Sequence, residues 1–225
     1  GRCCRERLAY VGPHLSLLTD VVISEAACVR ALALLEAEGL AAVIAPAVSY
    51  GVTDCAAGFA GAVSVAGAAL TAWLGAVVDA LLAAGCAHVC LVNNHLEPAQ
   101  DAAVRGVLVG RAGVASVACP LTRRWARTLT PEFKSGACHA GQYETSIVLA
   151  AEPVLVNDAA RATLPMVPIS LSEGLAAGKP TFAAMGMTAA YAGAPAAATA
   201  AEGETTLDAL AAMIVGEIAA ARGAT

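Results

Sequence analysis

Three short stretches concentrate the side chains able to do chemistry. The first is Asn93-Asn94-His95-Leu96-Glu97-Pro98, which follows the apolar run Ala87-His88-Val89-Cys90-Leu91-Val92. Residues two apart in extended backbone point to the same face. His95 and Glu97 therefore place an imidazole and a carboxylate side by side, which suits a divalent cation or a proton-transfer pair. The same residues serve equally well as a turn at the two asparagines with His95 capping the next helix. The second stretch is Cys138-His139-Ala140-Gly141-Gln142-Tyr143-Glu144. Its carboxylate is spaced to orient the imidazole of a general acid/base, and a buried histidine satisfied by that carboxylate needs the same geometry. The third is Gly12-Pro13-His14-Leu15-Ser16-Leu17-Leu18-Thr19-Asp20, where Asp20 is either a functional carboxylate or the cap of the helix that follows.

The elements that must carry these stretches alternate along the chain. Periodicity and breakers predict helices over 21–38, 68–84, 98–110 and 205–222, with a further helix opening just after His139. Apolar runs predict strands over 40–48, up to Val92, and over 115–118. Ser49-Tyr50-Gly51 turns away from the end of one of these strands, and the small residues at 57–62 would let backbone approach a ligand closely. Residues 122–134 carry Arg123, Arg124 and Arg127, a basic cluster that reads as an anion contact or as a solvated helix face. Such alternation implies a three-layer α/β/α sandwich with a mostly parallel central sheet, as one domain over residues 1–225. In that architecture ligands bind at the carboxyl ends of the strands, where the polar clusters fall.

Composition removes several classes of function. The net charge is −5 and no basic stripe appears, which argues against a nucleic-acid partner. Hydrophobic residues make up 58% of the 225, yet much of this is alanine, and no uninterrupted apolar run is long enough for a membrane span. Gly1-Arg2-Cys3-Cys4-Arg5-Glu6-Arg7 has no apolar core of a secretory signal, so a cytoplasmic protein is expected. The eight cysteines form no C-x-x-C pair, so they read as reduced, small apolar residues.

Taken together, the three stretches resemble the creatininase (creatinine amidohydrolase) family. Gly12 to Asp20 matches the second half of the family's first motif. Asn93-Asn94-His95-Leu96-Glu97 is similar to its Asn-Gly-His loop, and His139-Ala140-Gly141-Gln142-Tyr143-Glu144-Thr145-Ser146 carries its His-Ala-Gly-x-x-Glu-Thr-Ser unbroken. The resemblance implies a creatininase-like fold and hydrolysis of an amide, cyclic amide or formamide C–N bond by metal-activated water. By the same resemblance Asp20 bridges two divalent ions (zinc or manganese, with iron a further choice), and His95 and Glu97 each bind one of them. His139 then acts as acid/base with Glu144 as its neighbour, while Asn94, Tyr50, Cys138 and His14 contact a small-molecule substrate. Family members are often homohexamers. The sequence departs from the family where a Glu-x-His should supply two more ligands, because Ala9 and Val11 stand there. Substitution by His14, Tyr10, Cys3, Cys4 or Glu6 is one reading. Another is a metal-poor relative that serves as a binding or structural subunit, or that catalyses a cyclisation or proton transfer in a biosynthetic pathway.

Overall fold

A computed structural model describes residues 11–223. Strands β1 (Val89–Val92) and β2 (Ala115–Ala118) pair in parallel, Val89 opposite Ala115 and Val92 opposite Ala118. Successive side chains of a strand point to opposite faces, and the packing follows that rule. Val89, Leu91, Ala115 and Val117 join one core with helices α2 (Gly67–Ala83) and α3 (Pro98–Gly106), through Leu70, Leu74, Val78 and Val104. Cys90, Val92 and Ala118 face the opposite core, built from α1 (Thr19–Ala37), α6 (Gln142–Ala151) and α9 (Ala200–Gly223), with Ile23, Ile147, Leu210 and Met213 at its centre. Helices thus cover both faces of a parallel sheet, the expected three layers.

Shorter helices connect these elements: α4 (Arg123–Ala126), α5 (Pro131–Ser135), α7 (Asp158–Arg161) and α8 (Leu171–Ala176). Residues 122–134 form two short helices because Pro131 restarts the chain, with Thr130 Oγ1 accepting from Phe133 N as an N-cap. Arg124 lies 4.3 Å from the Trp125 ring centre and 3.9 Å from Glu217 of α9, so α4 docks on α9.

The strand expected over 40–48 does not form. The segment is extended but mostly exposed, Val43 at 86%, and among the described residues no strand pairs with it. A strand requires a neighbour to take its backbone hydrogen bonds, and β-branched composition alone does not supply one. Pro46 further removes a donor from the ladder. Helix α1 begins at Thr19, earlier than expected, so Asp20 falls inside the first turn and caps nothing with its side chain. Helix α9 begins at Ala200, also earlier, which brings Gly203 against α6.

Among the described residues no helix is long and apolar enough to cross a membrane. The described cysteines Cys28, Cys55, Cys86, Cys90, Cys119 and Cys138 are all free. Burial pushes the Cys28 and Cys90 thiols up to about 11, which keeps them protonated and chemically quiet. Cys3 and Cys4 lie outside the described residues.

Candidate active site

The first wall of the site grows from the end of β1. Asn93 N donates to Ala118 O at 2.9 Å, carrying the ladder one residue past the strand. Asn94 is buried and its Nδ2 donates to Ser24 Oγ of α1 at 3.0 Å, so it pins the strand end to a helix, and it is not among the residues that line the cavity. Beyond them the chain leaves the sheet, and His95 and Glu97 converge, with Nε2 and Oε2 3.8 Å apart. Glu97 stays extended (φ −83°, ψ 128°) before Pro98 opens α3. Its two oxygens accept from Asp54 N at 3.1 Å and Cys55 N at 3.2 Å, which fastens the 54–56 turn beneath the site.

His95 is held from both sides. Nδ1 lies 2.9 Å from Asp20 Oδ2, and Nε2 lies 2.9 Å from Val52 O. A carbonyl oxygen only accepts, so Nε2 carries hydrogen, and a carboxylate beside Nδ1 calls for hydrogen there as well. Burial disfavours the charged ring, but hydrogen bonds to Asp20 and Glu97 and the charges of both outweigh it, raising the pKa to about 10.

The second wall is the turn into α6. Ala140 adopts a positive φ of 47°, and its N–H donates to Glu144 Oε2 at 2.7 Å, so the carboxylate closes the turn that presents His139. The residues after Glu144 fasten this turn to the rest of the fold. Thr145 Oγ1 is 2.9 Å from His14 Nε2, and Ser146 Oγ accepts from Thr199 N at 3.0 Å. Glu144 is buried, and burial together with the Asp20 charge drives its pKa well above the usual carboxylate range, against the opposing Ala140 N–H. His139 packs its ring on Phe182, centroids 4.3 Å apart and planes 33° from parallel.

A residue absent from the sequence-based candidates completes this wall. Glu132 Oε2 accepts from Tyr143 N at 2.6 Å, and Oε1 accepts from Ala194 N at 2.7 Å. It thereby caps α6 and ties the His139 turn to the 192–194 segment. A Cβ on Gly141 would lie 2.6 Å from one Glu132 oxygen, and a Cβ on Gly193 would lie 2.1 Å from the other. Only the two glycines leave room for that carboxylate, but nothing local links Glu132 to positions so far along the chain.

His95, Glu97, Cys138, His139 and Glu144 line one cavity, with Asp20 immediately behind His95. The structure does not bring His14 or Tyr50 to it. Tyr50 is 64% exposed on the extended 40–50 segment, and His14 is 2% exposed. Burial, then the charges of Arg161 and His139, pull the His14 pKa down to about 4. The sign is that of a depressed base. The unfolded chain binds the proton more readily, so the contribution is complete above about pH 6.5 and is lost as pH falls toward 4. Denaturant unfolding should show a loss of about 3 kcal/mol across that window, and a His14→Gln variant should show a flatter profile there.

Among the described residues the donor set does not fit a resident metal pair. Both nitrogens of His95 and both oxygens of Glu97 already have partners within the protein. Val11, at a position where the family pattern has a ligand, is 2% exposed in the core, and Ala9 lies outside the described residues. Among the described residues no three His, Cys, Asp or Glu side chains are grouped to hold an ion. A structural zinc needs about four such ligands and a catalytic one about three.

The family model for creatininase (creatinine amidohydrolase) matches residues 11–218. Solved structures with the same fold include a manganese creatininase, 22% identical with a TM-score of 0.64, covering 95% of this chain and 87% of its own. A zinc–zinc form of a creatininase variant is 22% identical with a TM-score of 0.60 and the same coverage of 95% and 87%. A Bacteroides fragilis NCTC 9343 protein, provisionally named a creatinine amidohydrolase, is 20% identical with a TM-score of 0.70, covering 96% and 86%. No curated protein matches at a significant level.

Proposed function

Because the chain belongs to the creatininase family, we propose that it hydrolyses a C–N bond of a small amide, cyclic amide or formamide, with His139 and Glu144 as the acid/base pair. The observation that carries this reading is the buried Glu144 at the cavity, held above the usual carboxylate range beside His139. A carboxyl whose ionisation is disfavoured by its pocket can donate to a carbonyl oxygen as charge develops on it. His139 takes the proton of the attacking water and returns it to the departing nitrogen. Asp20 and Glu97 hold the His95 ring, and the fixed positive charge of that ring adds electrostatic support on the opposite wall. The setting envisaged is a cytoplasmic homo-oligomer, hexameric as the family resemblance implies. A panel of hydantoins, lactams and formamides tests the reading by release of acid and amine.

The saturated Asp20–His95–Glu97 cluster favours a second reading, a metal-poor relative that binds its ligand or runs a cyclisation or proton transfer. Either way these three residues are not expected to retain metal. Dialysis against excess zinc or manganese, followed by elemental analysis, should leave well under one ion per chain, and a chelator should not move the melting temperature. One zinc or manganese retained per chain, with a chelator-induced fall in melting temperature, would restore the metal-water mechanism.

A further inference from the structure

The turn that carries His139 is tied to one neighbouring segment at both of its ends. His139 O accepts from Ala192 N at 2.8 Å. On the helix side, Tyr143 N donates to Glu132 Oε2 at 2.6 Å, and the other oxygen of that carboxylate accepts from Ala194 N at 2.7 Å. Glu132 thus closes a loop of contacts that runs from His139 through 192–194 and back to α6. Between the two ties sits Ala140, fully buried, with a φ of 47°. A residue other than glycine holds that conformation only where its surroundings fix it. The 192–194 segment is itself anchored, since Gly193 N donates to Val167 O at 2.8 Å and Val167 N to Gly193 O at 2.9 Å.

The fit around Glu132 calls for a carboxylate. Both of its oxygens face N–H donors, and the Gln142 N–H further favours the charged form. Gln142 and Tyr143 open α6, where N–H groups have no partner within the helix and the helix dipole favours negative charge. The N-cap, Gly141, has no side chain to supply the cap, so it comes from α5 instead. A Cβ on Gly141 would meet Glu132 Oε2, and a Cβ on Gly193 would meet Oε1. An amide of the same shape has one oxygen and one NH2 group. Glutamine at this position would therefore turn a donor toward one of the two N–H groups that the carboxylate now satisfies.

We infer that Glu132 is a positioning residue of the proposed reaction: by accepting from α6 and from Ala194 at once it fixes the turn that presents His139, and it reaches the chemistry only through that histidine. The kinetic part of this inference rests on the amidohydrolase reading, while the placement of the His139 ring is read without it. The test is Glu132→Gln in the full chain. On an amide that the parent opens, kcat should fall at least about tenfold, within the roughly 10²-fold that misplacing a catalytic group can cost, with KM held within about twofold. In the His139→Ala background the same substitution should cost less than about twofold, because the group it positions is gone. In parallel, nuclear magnetic resonance of isotope-labelled histidine should show the His139 ring signals shifted. Those of His88, held by Gly113 O and Ser116 Oγ, should stay in place. His139→Ala assigns the signal. Glu132→Asp keeps the charge but falls a methylene short of spanning both donors. It should change in the same direction, and it carries the test if the glutamine variant does not fold. Unchanged kcat, an equal loss with and without His139, or a His88 shift as large as that of His139 would overturn the inference. A parent that opens no amide would remove the hydrolase reading and leave the ring signals to decide: a shifted His139 keeps Glu132 as its positioning residue, and an unshifted one ends the inference.

Discussion

Replacing His139 with alanine is expected to lower turnover of the amide substrate by about 10²- to 10⁴-fold, the usual contribution of a positioned general acid/base. The ring lines the cavity and packs on Phe182, so its removal leaves a small void at the cavity edge and the core intact. Far-ultraviolet circular dichroism and melting temperature should therefore stay close to the parent. Glu144→Gln is the sharper companion. The amide oxygen can still accept from Ala140 N, which preserves the turn, but the side chain no longer carries a carboxyl proton. The expected result is a fall in kcat with KM nearly unchanged, the mark of an interaction made in the transition state. Equal loss of KM and kcat together with a large drop in melting temperature would assign Glu144 to holding the turn and nothing more. Unchanged turnover in both variants would remove the acid/base assignment.

The second large effect concerns stability. Gly203 lies in the interior of α9, where alanine is ordinarily about 1 kcal/mol more favourable than glycine. Here a Cβ would stand 1.9 Å from Ser146 O and 2.8 Å from the Ala150 Cβ of α6. The nearest atom is backbone, so neither helix can yield by rotating a side chain. Overpacking of this kind costs about 1–3 kcal/mol or more, which exceeds the propensity gain. Gly203→Ala should therefore lower stability by about 2 kcal/mol, or roughly 4–8 °C in melting temperature for a chain of this size. Gly223→Ala is the control, because nothing lies near a Cβ at that end of the same helix. It should be neutral or slightly stabilising. A stabilised Gly203→Ala would mean that α6 and α9 are not in contact at Ser146. Since α6 carries Glu144, the same variant also reports how rigidly that contact supports the site.

The site was partly legible because its chemistry is local. His95 and Glu97 share a face as residues two apart in extended backbone, and His139, Ala140 and Glu144 belong to one turn closed by one hydrogen bond. Spacing encodes such arrangements directly. The layered fold was legible for a similar reason. The alternating residues of β1 and β2 can each be buried only with helices on both sides.

What the sequence left open are the relations between distant segments. His14 and Asp20 stand close together in one motif, yet only Asp20 reaches the site, because the first turn of α1 aims its carboxylate at His95 while His14 is drawn under α6 by Thr145. Glu132 has the look of an ordinary helix acid, and its role exists only because Gly141 and Gly193 fold around it. The apolar segment at 40–48 has strand composition, but a strand depends on a partner for its hydrogen bonds, and composition cannot supply one. Motif spacing on its own thus identified the family-like chemistry and the residues of each turn. Tertiary packing decided which of them meet, because burial, charge pairing and hydrogen-bond satisfaction are properties of the assembled neighbours.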